Sequence, residues 1–258
     1  TIDIQEYLGS QPSPIIDLTA TGSPLKIEFN SESDDFNDPI KTSKAVFNVL
    51  STTDFALIDL YSDEDFHFKV NITAGTVPYW TGWIVTGEYS EPYDCIPYPV
   101  RLTAVDGLNY LKQILFASSV DVNVTTGVET ITYYDGRTLE SQVILDILGK
   151  CFAATFAEYV NIYESTMKQT VDDSPMDQVK IDVDLFKDMY CWEALTKILN
   201  KYNACIRQNY GVFTIYRPIE LVNASVDGRI FTGATTKTSA TLSPDQFINR
   251  TGTASNLH

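Results

Sequence analysis

Residues 79–112 read YWTGWIVTGEYSEPYDCIPYPVRLTAVDGLNYLK, and the rest of the chain is predicted to be organised around them. Residues 80–86 place large apolar side chains on both faces of an extended chain, which predicts a strand that is covered on both sides. Residues 88–97 are polar and interrupted by prolines, each of which removes a ladder donor, so they predict a connection. Apolar and polar side chains then alternate over residues 100–105, which predicts a second strand.

Asp106 follows this second strand directly. An Asp in this place can accept hydrogen bonds from the first free amides of a helix. The apolar residues Leu108, Leu111, Ile114 and Leu115 are spaced to bury one face of that helix. The stretch is therefore predicted as strand, connection, strand and capped helix, and it contains no reactive group in a position typical of catalysis.

Upstream of this stretch, the sequence predicts further strands. Residues 1–13 are expected to form a weakly held arm or edge strand. Residues 15–19 and 25–29 predict two strands joined by the turn signal Thr-Gly-Ser-Pro. Strands are also predicted over 44–50 and, with the clearest alternation, over 66–72, and Thr53-Asp54 predicts the cap of a short helix that ends at Tyr61.

Downstream, two more capped helices and two hairpins are predicted. Thr138 is expected to cap a helix over 139–152, and Asp188 a helix over 190–202. Hairpins are predicted for 120–124 with 129–133 and for 204–208 with 212–217, the latter across Asn209-Tyr210-Gly211. Three shorter predictions complete this part: residues 155–163 are open between strand and helix, 165–179 read as an exposed loop, and 181–185 as a short strand.

The predicted fold class is α+β, predominantly antiparallel β, with barrel- or sandwich-like subdomains and about three packed helices. Many Thr, Val and Ile, together with fifteen Tyr and thirteen Phe, favour sheet over helix. We predict a β-rich subdomain over 1–105 and a helix-containing α+β subdomain over 106–236. Residues 237–258 are predicted to be a polar C-terminal tail, flexible or ordered only against a partner, because they have almost nothing to bury.

The charge of the chain argues against nucleic-acid binding. It carries 18 basic and 34 acidic residues, a formal net charge of −16. Nucleic-acid binders concentrate Lys and Arg to displace counterions, so we expect no sequence-specific nucleic-acid partner. No apolar run approaches the ~20 residues of a membrane span and no signal peptide is apparent, so we expect no membrane insertion.

The residues that could act in catalysis or metal binding, namely Cys, His and clustered acids, show no spacing typical of a known site. No C-x-x-C pair is present, and the predicted state of the cysteines is buried free thiols, with a Cys191–Cys205 disulfide as the alternative. The histidines are His67, on the polar face of a predicted strand, and His258. The Asp-rich residues 30–39 lack the Gly and terminal Glu of a calcium loop, so a solvated acidic loop is favoured. We predict no catalytic residue, no metal ligand and no cofactor; a pair of distant carboxylates, as in glycosidases, stays open.

Several aromatic residues of the central stretch allow two interpretations. They could stack on sugar rings, or they could form core packing and a Tyr-rich interface, which the sequence favours. The residues are Trp80, Trp83, Tyr89, Tyr93 and Tyr98.

The motifs of this stretch resemble a known family. They are Trp80-Thr-Gly-Trp83, Glu91-Pro-Tyr93 and Leu102-Thr-Ala-Val-Asp-Gly-Leu108 followed by Leu111-Lys112, and they resemble tail proteins of bacteriophages and prophages. The resemblance is closer to hub proteins at the tail tip or baseplate of Bacteroides-type phages. Residues 55–61, 66–70 and 191–217 fit the same pattern, so the similarity covers roughly residues 20–217.

The resemblance implies a virion structural protein, not an enzyme, which is assembled in the host cytoplasm. It implies β-barrel subdomains arranged in a homo-oligomeric ring, most often a trimer, that joins the tail tube to tip or receptor-binding proteins. Hub proteins of this family commonly continue into further C-terminal domains, so a reduced hub, a processed piece and a neighbouring adaptor all stay open. The alternatives are a secreted carbohydrate-binding β module and a tail-associated peptidoglycan hydrolase.

Overall fold

The computed structural model describes residues 2–8, 11–14, 19–30, 37–52, 60–86, 94–123, 125–153, 155–160, 174–222, 225–233 and 236–242. The chain divides into two compact units. The first comprises Thr1–Ser33, Lys41–Asn109 and Arg207–Val212, and the second comprises Asp34–Ile40, Tyr110–Ile206 and Phe213–His258. The subdomain boundaries predicted at residues 105 and 236 stay predictions.

A seven-stranded antiparallel sheet forms the first unit, with the order β2-β1-β5-β6-β7-β4-β3. Its strands are β1 Ile2–Leu8, β2 Gln11–Pro14, β3 Thr19–Asn30, β4 Thr42–Ser51, β5 Phe68–Ala74, β6 Val77–Ile84 and β7 Tyr98–Val105.

Alternating side chains build the core of this unit. In β5, Phe68, Val70 and Ile72 are buried while Lys69 and Asn71 between them are partly exposed, which confirms the amphipathic strand predicted there. The inward residues of β4 and β7 alternate in the same way, as expected for strands whose successive side chains point to opposite faces. Together they form one apolar cluster, which includes Ala45, Phe47, Val49, Val100, Leu102 and Ala104.

Strand β6 is apolar on both faces, as the sequence predicts. Trp80 lies in the core cluster, and Trp83 is also buried. The ring of Trp83 makes edge contacts with Tyr7 and Phe66, at centroid distances of 5.2 and 5.4 Å. Between Trp80 and Trp83 in the sequence, position 82 requires glycine, because a Cβ there would lie 2.2 Å from the Trp80 ring and 2.4 Å from the carbonyl oxygen of Val105.

Two predictions for the N-terminal strands are wrong. Residues 19–30 form one strand, and the Thr-Gly-Ser-Pro signal lies in a register shift between Ala20 and Leu25. The ten-residue β4 offers partners on both sides of that shift, so the extra residues form a bulge and not a turn. Strand β1 is an inner strand, paired with both β2 and β5, and the edge is β2.

The second unit holds most of the helices. The elements from residue 119 onwards are β8 Ser119–Val122, β9 Glu129–Thr132, β10 Arg137–Leu139, α1 Glu140–Gly149, β11 Thr155–Tyr159, α2 Pro175–Gln178, β12 Lys180–Asp182, the 3-10 helix Val183–Phe186, α3 Cys191–Lys201, β13 Cys205–Asn209, β14 Val212–Tyr216, the 3-10 helix Pro218–Val222, β15 Val226–Thr232 and β16 Thr236–Leu242. All of them belong to the second unit except residues 207–212, which span the end of β13, its turn and the start of β14 and belong to the first. A further 3-10 helix, Leu108–Lys112, stands where the sequence predicts a longer helix after Asp106.

A second large sheet has five strands in the order β13-β14-β11-β15-β16. Strands β11 and β14 are parallel, whereas β15 is antiparallel to both β11 and β16. Phe156 of β11 and Phe231 of β15 lie opposite each other and stack at 4.7 Å. Helix α1 contacts α2 and α3, and the inward residues of α1 and α3 are fully buried, among them Ile144, Ile147, Leu148, Leu195 and Leu199.

Both helix caps predicted in this unit are wrong. Thr138 lies in β10, which pairs with β12, and the amide of Glu140 donates to the carbonyl of Val179. Asp188 adopts a left-handed conformation and accepts a hydrogen bond from the Tyr133 hydroxyl at 2.5 Å. The N-terminus of α3 is closed instead by the side chain of Glu193, which accepts from the amide of Tyr190 at 3.2 Å.

The remaining predictions have mixed outcomes. The hairpin across Asn209, Tyr210 and Gly211 is confirmed, with left-handed φ values of 51° and 75° at the last two residues. Residues 155–159 are a strand. The predicted exposed loop 165–179 is wrong at residues 174–176, which are buried at the start of α2, and the strand predicted to reach Leu185 ends at Asp182. Residues 237–242, predicted to be tail, belong to β16.

The predicted class, α+β with mainly antiparallel sheet and three α-helices, is confirmed. The calcium-loop alternative concerns residues 30–39, and the short helix capped by Thr53-Asp54 concerns residues 53–61; both fall largely outside the described residues. Within the described part of the chain, no helix is both long and apolar enough to cross a membrane.

Candidate functional site

The central stretch contains a buried network formed by Trp80, Ser43 and Asp106. The indole nitrogen of Trp80 donates to the Ser43 hydroxyl at 2.9 Å, and that hydroxyl donates to Asp106 Oδ2 at 2.8 Å. The same carboxylate oxygen accepts from the Ser43 amide at 2.5 Å, and Oδ1 accepts from the Leu108 amide at 3.0 Å. The predicted capping role of Asp106 is thus confirmed at the Leu108 amide, its side chain also bonds Ser43 of β4, and the Ser43 hydroxyl in turn connects β4 with Trp80 of β6.

Asp106 is only 3% exposed, and its burial and its hydrogen bonds have opposite effects on its pKa. Burial raises the pKa of the carboxyl group, while hydrogen bonds from Ser43 and Leu108 lower it, and burial prevails: the pKa rises from 3.8 to about 7. Desolvation disfavours the charged form of a buried acid, and three donors offset it only in part. The side chain therefore changes protonation near neutral pH, with all of its partners fixed by the fold.

A second polar contact lies at Thr81, where the backbone of β6 has no described strand partner on one side and bonds a side-chain amide. Gln208, which is 3% exposed, accepts from the Thr81 amide at 2.9 Å and donates to the Thr81 carbonyl at 2.7 Å. Strand β6 pairs with β7 only at Trp83 and Ile84, so the side-chain amide supplies the donor and acceptor of an absent strand. Buried backbone groups need such partners.

The Thr81 side chain continues this polar arrangement across the sheet. Its hydroxyl donates to Asn71 Oδ1 at 2.6 Å. The Asn71 amide nitrogen donates to Gln5, and Gln5 donates to Asp3 at 2.6 Å. These contacts connect neighbouring strands side chain to side chain, so they fix register.

In the second unit, Glu140 is completely buried at the start of α1. Its oxygens accept from Lys201 Nζ at 2.6 Å and from the hydroxyl of Tyr202. A cavity of about 270 Å³ lies beside this cluster, lined by Glu140, Ile181, Leu185, Phe186, Lys197, Ile198 and Lys201. Its wall is mainly apolar, and its only buried ionisable group already has two partners.

Glu158 of β11 is the other fully buried acid in this unit. Neither of its carboxylate oxygens has a hydrogen-bond partner among the described residues. Burial raises its pKa to about 8; Ser174 and Arg229 lower the pKa, whereas Asp177 and Glu220 raise it. Arg229 lies directly across from it in the β11–β15 register. A buried carboxyl group whose favourable neighbours do not offset its desolvation is most stable when protonated.

His67 has no free nitrogen with which to act as a catalytic base. Its Nε2 lies 3.1 Å from Glu6 Oε1, and its Nδ1 lies 3.5 Å from Glu64 Oε2. A triad needs one ring nitrogen directed at a nucleophile, and here carboxylates face both. The side chain is 17% exposed, which is more enclosed than the predicted surface position. His258 falls outside the described residues.

The cysteines are free thiols, and the disulfide alternative between Cys191 and Cys205 is wrong. Three are buried as predicted, namely Cys151, Cys191 and Cys205, whereas Cys95 is exposed. Burial raises the pKa of Cys191 to about 11. A thiol in such an apolar place is inert, because the thiolate is the reactive form.

The central aromatics do not form a sugar platform where they are described. Trp80, Trp83 and Tyr98 are all less than 5% exposed. A ring that stacks on a sugar needs one face accessible to the ligand, so packing is the role of these three. Tyr89 and Tyr93 lie outside the described residues.

Asp106, Gln208 and Glu140 hold strands and helices in place through their hydrogen bonds. Sequence reasoning identified Asp106 and missed Gln208, Glu140 and Glu158. Glu158 of β11 interrupts the apolar alternation of Phe156 and Val160, and Glu140 lies on the buried stripe of α1 with Val143 and Ile144. These placements are the signals that could have identified both acids. Nothing in the sequence around Gln208 indicates that its partner lies 127 positions away. Among the described residues, no three His, Cys, Asp or Glu side chains are grouped so that they could hold a metal ion.

Comparisons with known proteins give partial structural matches. Prophage tail protein gp18 of Listeria monocytogenes EGD-e matches with a TM-score of 0.41 and 10% identity, over 84% of this chain and 50% of that one. The 43 kDa tail protein of prophage MuSo2 from Shewanella oneidensis matches with a TM-score of 0.39 and 12% identity, over 84% and 52%. The chain therefore spans about half the length of each. No protein-family model matches it, and no curated protein matches it significantly.

Proposed function

We propose that the chain is a structural component of a phage or prophage tail, specifically a ring-forming hub or adaptor at the tail tip or baseplate. In this proposal it joins the tail tube to tip or receptor-binding proteins. Its partners are copies of itself, most simply three in a ring, and other tail proteins. It acts as a virion protein assembled in the host cytoplasm, without a reaction of its own. Both solved structures described above are prophage tail proteins, which is the class proposed here.

The observation that carries the proposal is what the motif residues do. Trp80, Trp83, Leu102 and Asp106, which underlie the resemblance to tail proteins, are all buried. Asp106 and Trp80 belong to one hydrogen-bond network with Ser43. A motif made of core and network residues specifies the geometry of a sheet and leaves none of these side chains facing a substrate. Such a motif supports a role in architecture.

The acidic surface fits this role in one respect. With a net charge of −16, a ring of such subunits would repel DNA that passes through it and would not retain it, since like charges repel over about a Debye length. This also accords with the expectation of no sequence-specific nucleic-acid partner.

The direct test is to find the protein in particles. We expect mass spectrometry of purified, induced phage to detect the chain at a fixed low ratio to the major tube protein. We also expect gold-labelled antibody to mark one end of the tail. Deletion of the gene should yield particles without complete tails, and the wild-type gene supplied in trans should restore them. Absence of the chain from purified particles, together with normal tails after deletion, would refute the proposal.

Two assays separate the rival functions. Binding on a glycan array, with quenching of tryptophan fluorescence, would indicate the carbohydrate-binding module. Clearing on a cell-wall zymogram that disappears when one carboxylate is neutralised would indicate the peptidoglycan hydrolase. Native mass spectrometry tests the ring, and a strict monomer at tens of micromolar, a concentration at which micromolar complexes assemble, would count against it.

A further inference from the structure

The cavity beside Glu140 has the size and lining of a site for a small ligand. It lies wholly within the second unit, and all of the residues that line it are described. Its volume of about 270 Å³ is close to the lower end of the roughly 300–1,000 Å³ that is usual for ligand sites. Such sites are lined mainly by apolar side chains, with a few polar groups that fix the orientation of the ligand. The side chains of this lining therefore define the class of ligand that it would accept.

Four apolar side chains form most of the wall. They are Ile181, Leu185, Phe186 and Ile198. Phe186 and Ile198 are buried, whereas Leu185 is 64% exposed. Leu185 therefore presents apolar surface to water beside the cavity, and an apolar ligand that covered it would remove that surface from water.

The charged side chains of the lining are not balanced. Lys197 and Lys201 lie one turn apart on α3, where like charges repel. Lys201 is paired with Glu140 at 2.6 Å, and Glu140 is the single acid among the lining residues. Lys197 is exposed and forms no ion pair with any described residue; Glu193, one turn before it, accepts from the Tyr190 amide. The lining thus carries one cation without a partner, next to an apolar wall.

We propose that this cavity binds a small amphiphilic anion, namely a carboxylate on an unbranched apolar chain of about eight carbons, a length suited to a cavity at the small end of the usual range. The carboxylate pairs with the ammonium group of Lys197, and the chain covers Leu185 and packs against Ile181 and Ile198. Glu140 keeps its partner Lys201, so binding breaks no ion pair. A cationic ligand would face two lysines, and a sugar would leave the apolar wall without an apolar partner.

The affinity should be low, because the ligand is small. For a ligand of about ten non-hydrogen atoms we expect a dissociation constant on the order of 1 mM. This inference does not rest on the proposed tail function, because every contact lies within one unit of one chain. The tail proposal is tested on phage particles and this one on the purified chain, so each can fail while the other stands.

The test is a titration of the full chain, carrying labelled Ile and Leu methyl groups, followed by NMR at about 0.02 M salt, where screening is weak. The probes are octanoate, octylammonium, which has the same chain with the opposite charge, and acetate, which has the carboxylate without the chain. We expect octanoate to give saturating shifts at the methyl groups of Ile181, Leu185 and Ile198. Octylammonium should bind about tenfold more weakly, because attraction to Lys197 becomes repulsion, and acetate should not saturate.

Two variants separate the contributions of charge and chain. Lys197→Gln should weaken octanoate about threefold, the value of one exposed ion pair, and should not weaken octylammonium. Lys187→Gln is the matched control, because Lys187 is an exposed lysine of the same unit that does not line the cavity. Leu185→Ser should weaken octanoate and octylammonium by the same factor, since it removes apolar wall and no charge.

The comparison of octanoate with octylammonium uses the wild-type protein, so it does not depend on the variants folding. Absence of saturating shifts at the three cavity side chains with about 10 mM octanoate, well above the expected dissociation constant, would overturn the proposal. Equal affinity for octanoate and octylammonium would also overturn it, because the ligand would then be recognised by its chain alone. So would an octanoate affinity that Lys197→Gln leaves unchanged, or one that Lys187→Gln lowers equally.

Discussion

Replacing Asp106 by asparagine should remove the part of the pH dependence of the first unit's stability that the ionisation of Asp106 contributes. The folded-state pKa of Asp106, about 7, lies above its ordinary value of 3.8. A carboxyl group with a raised folded-state pKa contributes stability that is fully present below the unfolded pKa and is lost as the pH rises through the folded pKa. The ionisation of Asp106 should therefore lower the stability of the wild-type protein between pH 4 and pH 7.

The magnitude follows from the linkage relation. Each pH unit well between the two pKa values changes the free energy of unfolding by about 1.4 kcal/mol, and the slope falls to half of that at pH 7, where the folded-state group is half ionised, so the interval from pH 5 to pH 7 gives about 2 kcal/mol. The amide side chain of the Asp106→Asn variant does not titrate, so the variant lacks this pH dependence. It would also leave one of the three donors that face Asp106 without an acceptor, a pH-independent loss of about 1–3 kcal/mol.

The assay is urea unfolding at pH 5 and pH 7, followed by tryptophan fluorescence in a Trp192→Phe background. Trp80 and Trp83 then report on the first unit alone. Asp94→Asn is the matched control, because Asp94 is an exposed acid in the same unit. Protonation of the many other carboxylates also changes the stability of an acidic protein, so the informative quantity is the difference between each variant and the wild type.

Equal pH dependence in Asp106→Asn and wild type, within about 0.5 kcal/mol, would refute the reasoning, because that is well below the expected linkage of about 2 kcal/mol. A wild-type protein that is more stable at pH 7 than at pH 5, with the excess removed in Asp106→Asn, would show that the hydrogen bonds outweigh burial and that the pKa is lowered.

Three further predictions concern packing and buried polar groups. Gly82→Ala should prevent folding or cost more than about 3 kcal/mol, because its Cβ would overlap the Trp80 ring and a backbone oxygen; Gly149→Ala, at a helical position with nothing within 4 Å, should be neutral or stabilise by about 0.5–1 kcal/mol in the same thermal melts. Gln208→Glu should lower the melting temperature at pH 7 and less at pH 5, since an ionised carboxylate would face the carbonyl oxygen to which the Gln208 amide now donates; equal losses at both pH values would contradict this. Because burial raises the pKa of Glu158 to about 8, we expect the β11 amides of the wild-type protein to lose protection from hydrogen exchange as the pH rises towards 8. Glu158→Gln should abolish this loss of protection, and a variant with the same pH dependence as the wild type would contradict the prediction.

The parts of the fold that sequence predicts are those governed by local alternation. Strand β5 follows from the period of Phe68, Val70 and Ile72, and the hairpin at Tyr210 and Gly211 follows from turn chemistry. In each case the residues that decide the structure are neighbours in sequence. The capping role of Asp106 was predictable for the same reason, since the Leu108 amide that donates to it is two residues away.

The wrong predictions concern segments whose structure depends on residues distant in the sequence. Thr138 looks like a helix cap, but residues 180–182 pair with the strand in which it lies. Residues 21–24 look like a turn, yet β4 continues on both sides of them and keeps them in one strand. β16 looks like a polar tail, because the β15 residues that pair with it supply no local signal. Tertiary pairing overrides local propensity in all three.

The hydrogen bonds between Gln208 and Thr81 have a consequence for synthesis. They join residues 127 positions apart, whereas the described strands of the first sheet lie within residues 2–105. A ribosome synthesises those strands long before it adds residue 208. During that time the Thr81 amide and carbonyl lack the hydrogen bonds that Gln208 later supplies. Addition of Gln208 late in translation completes the hydrogen bonding of β6. A chain truncated before residue 208 should therefore have a sheet that opens locally at β6.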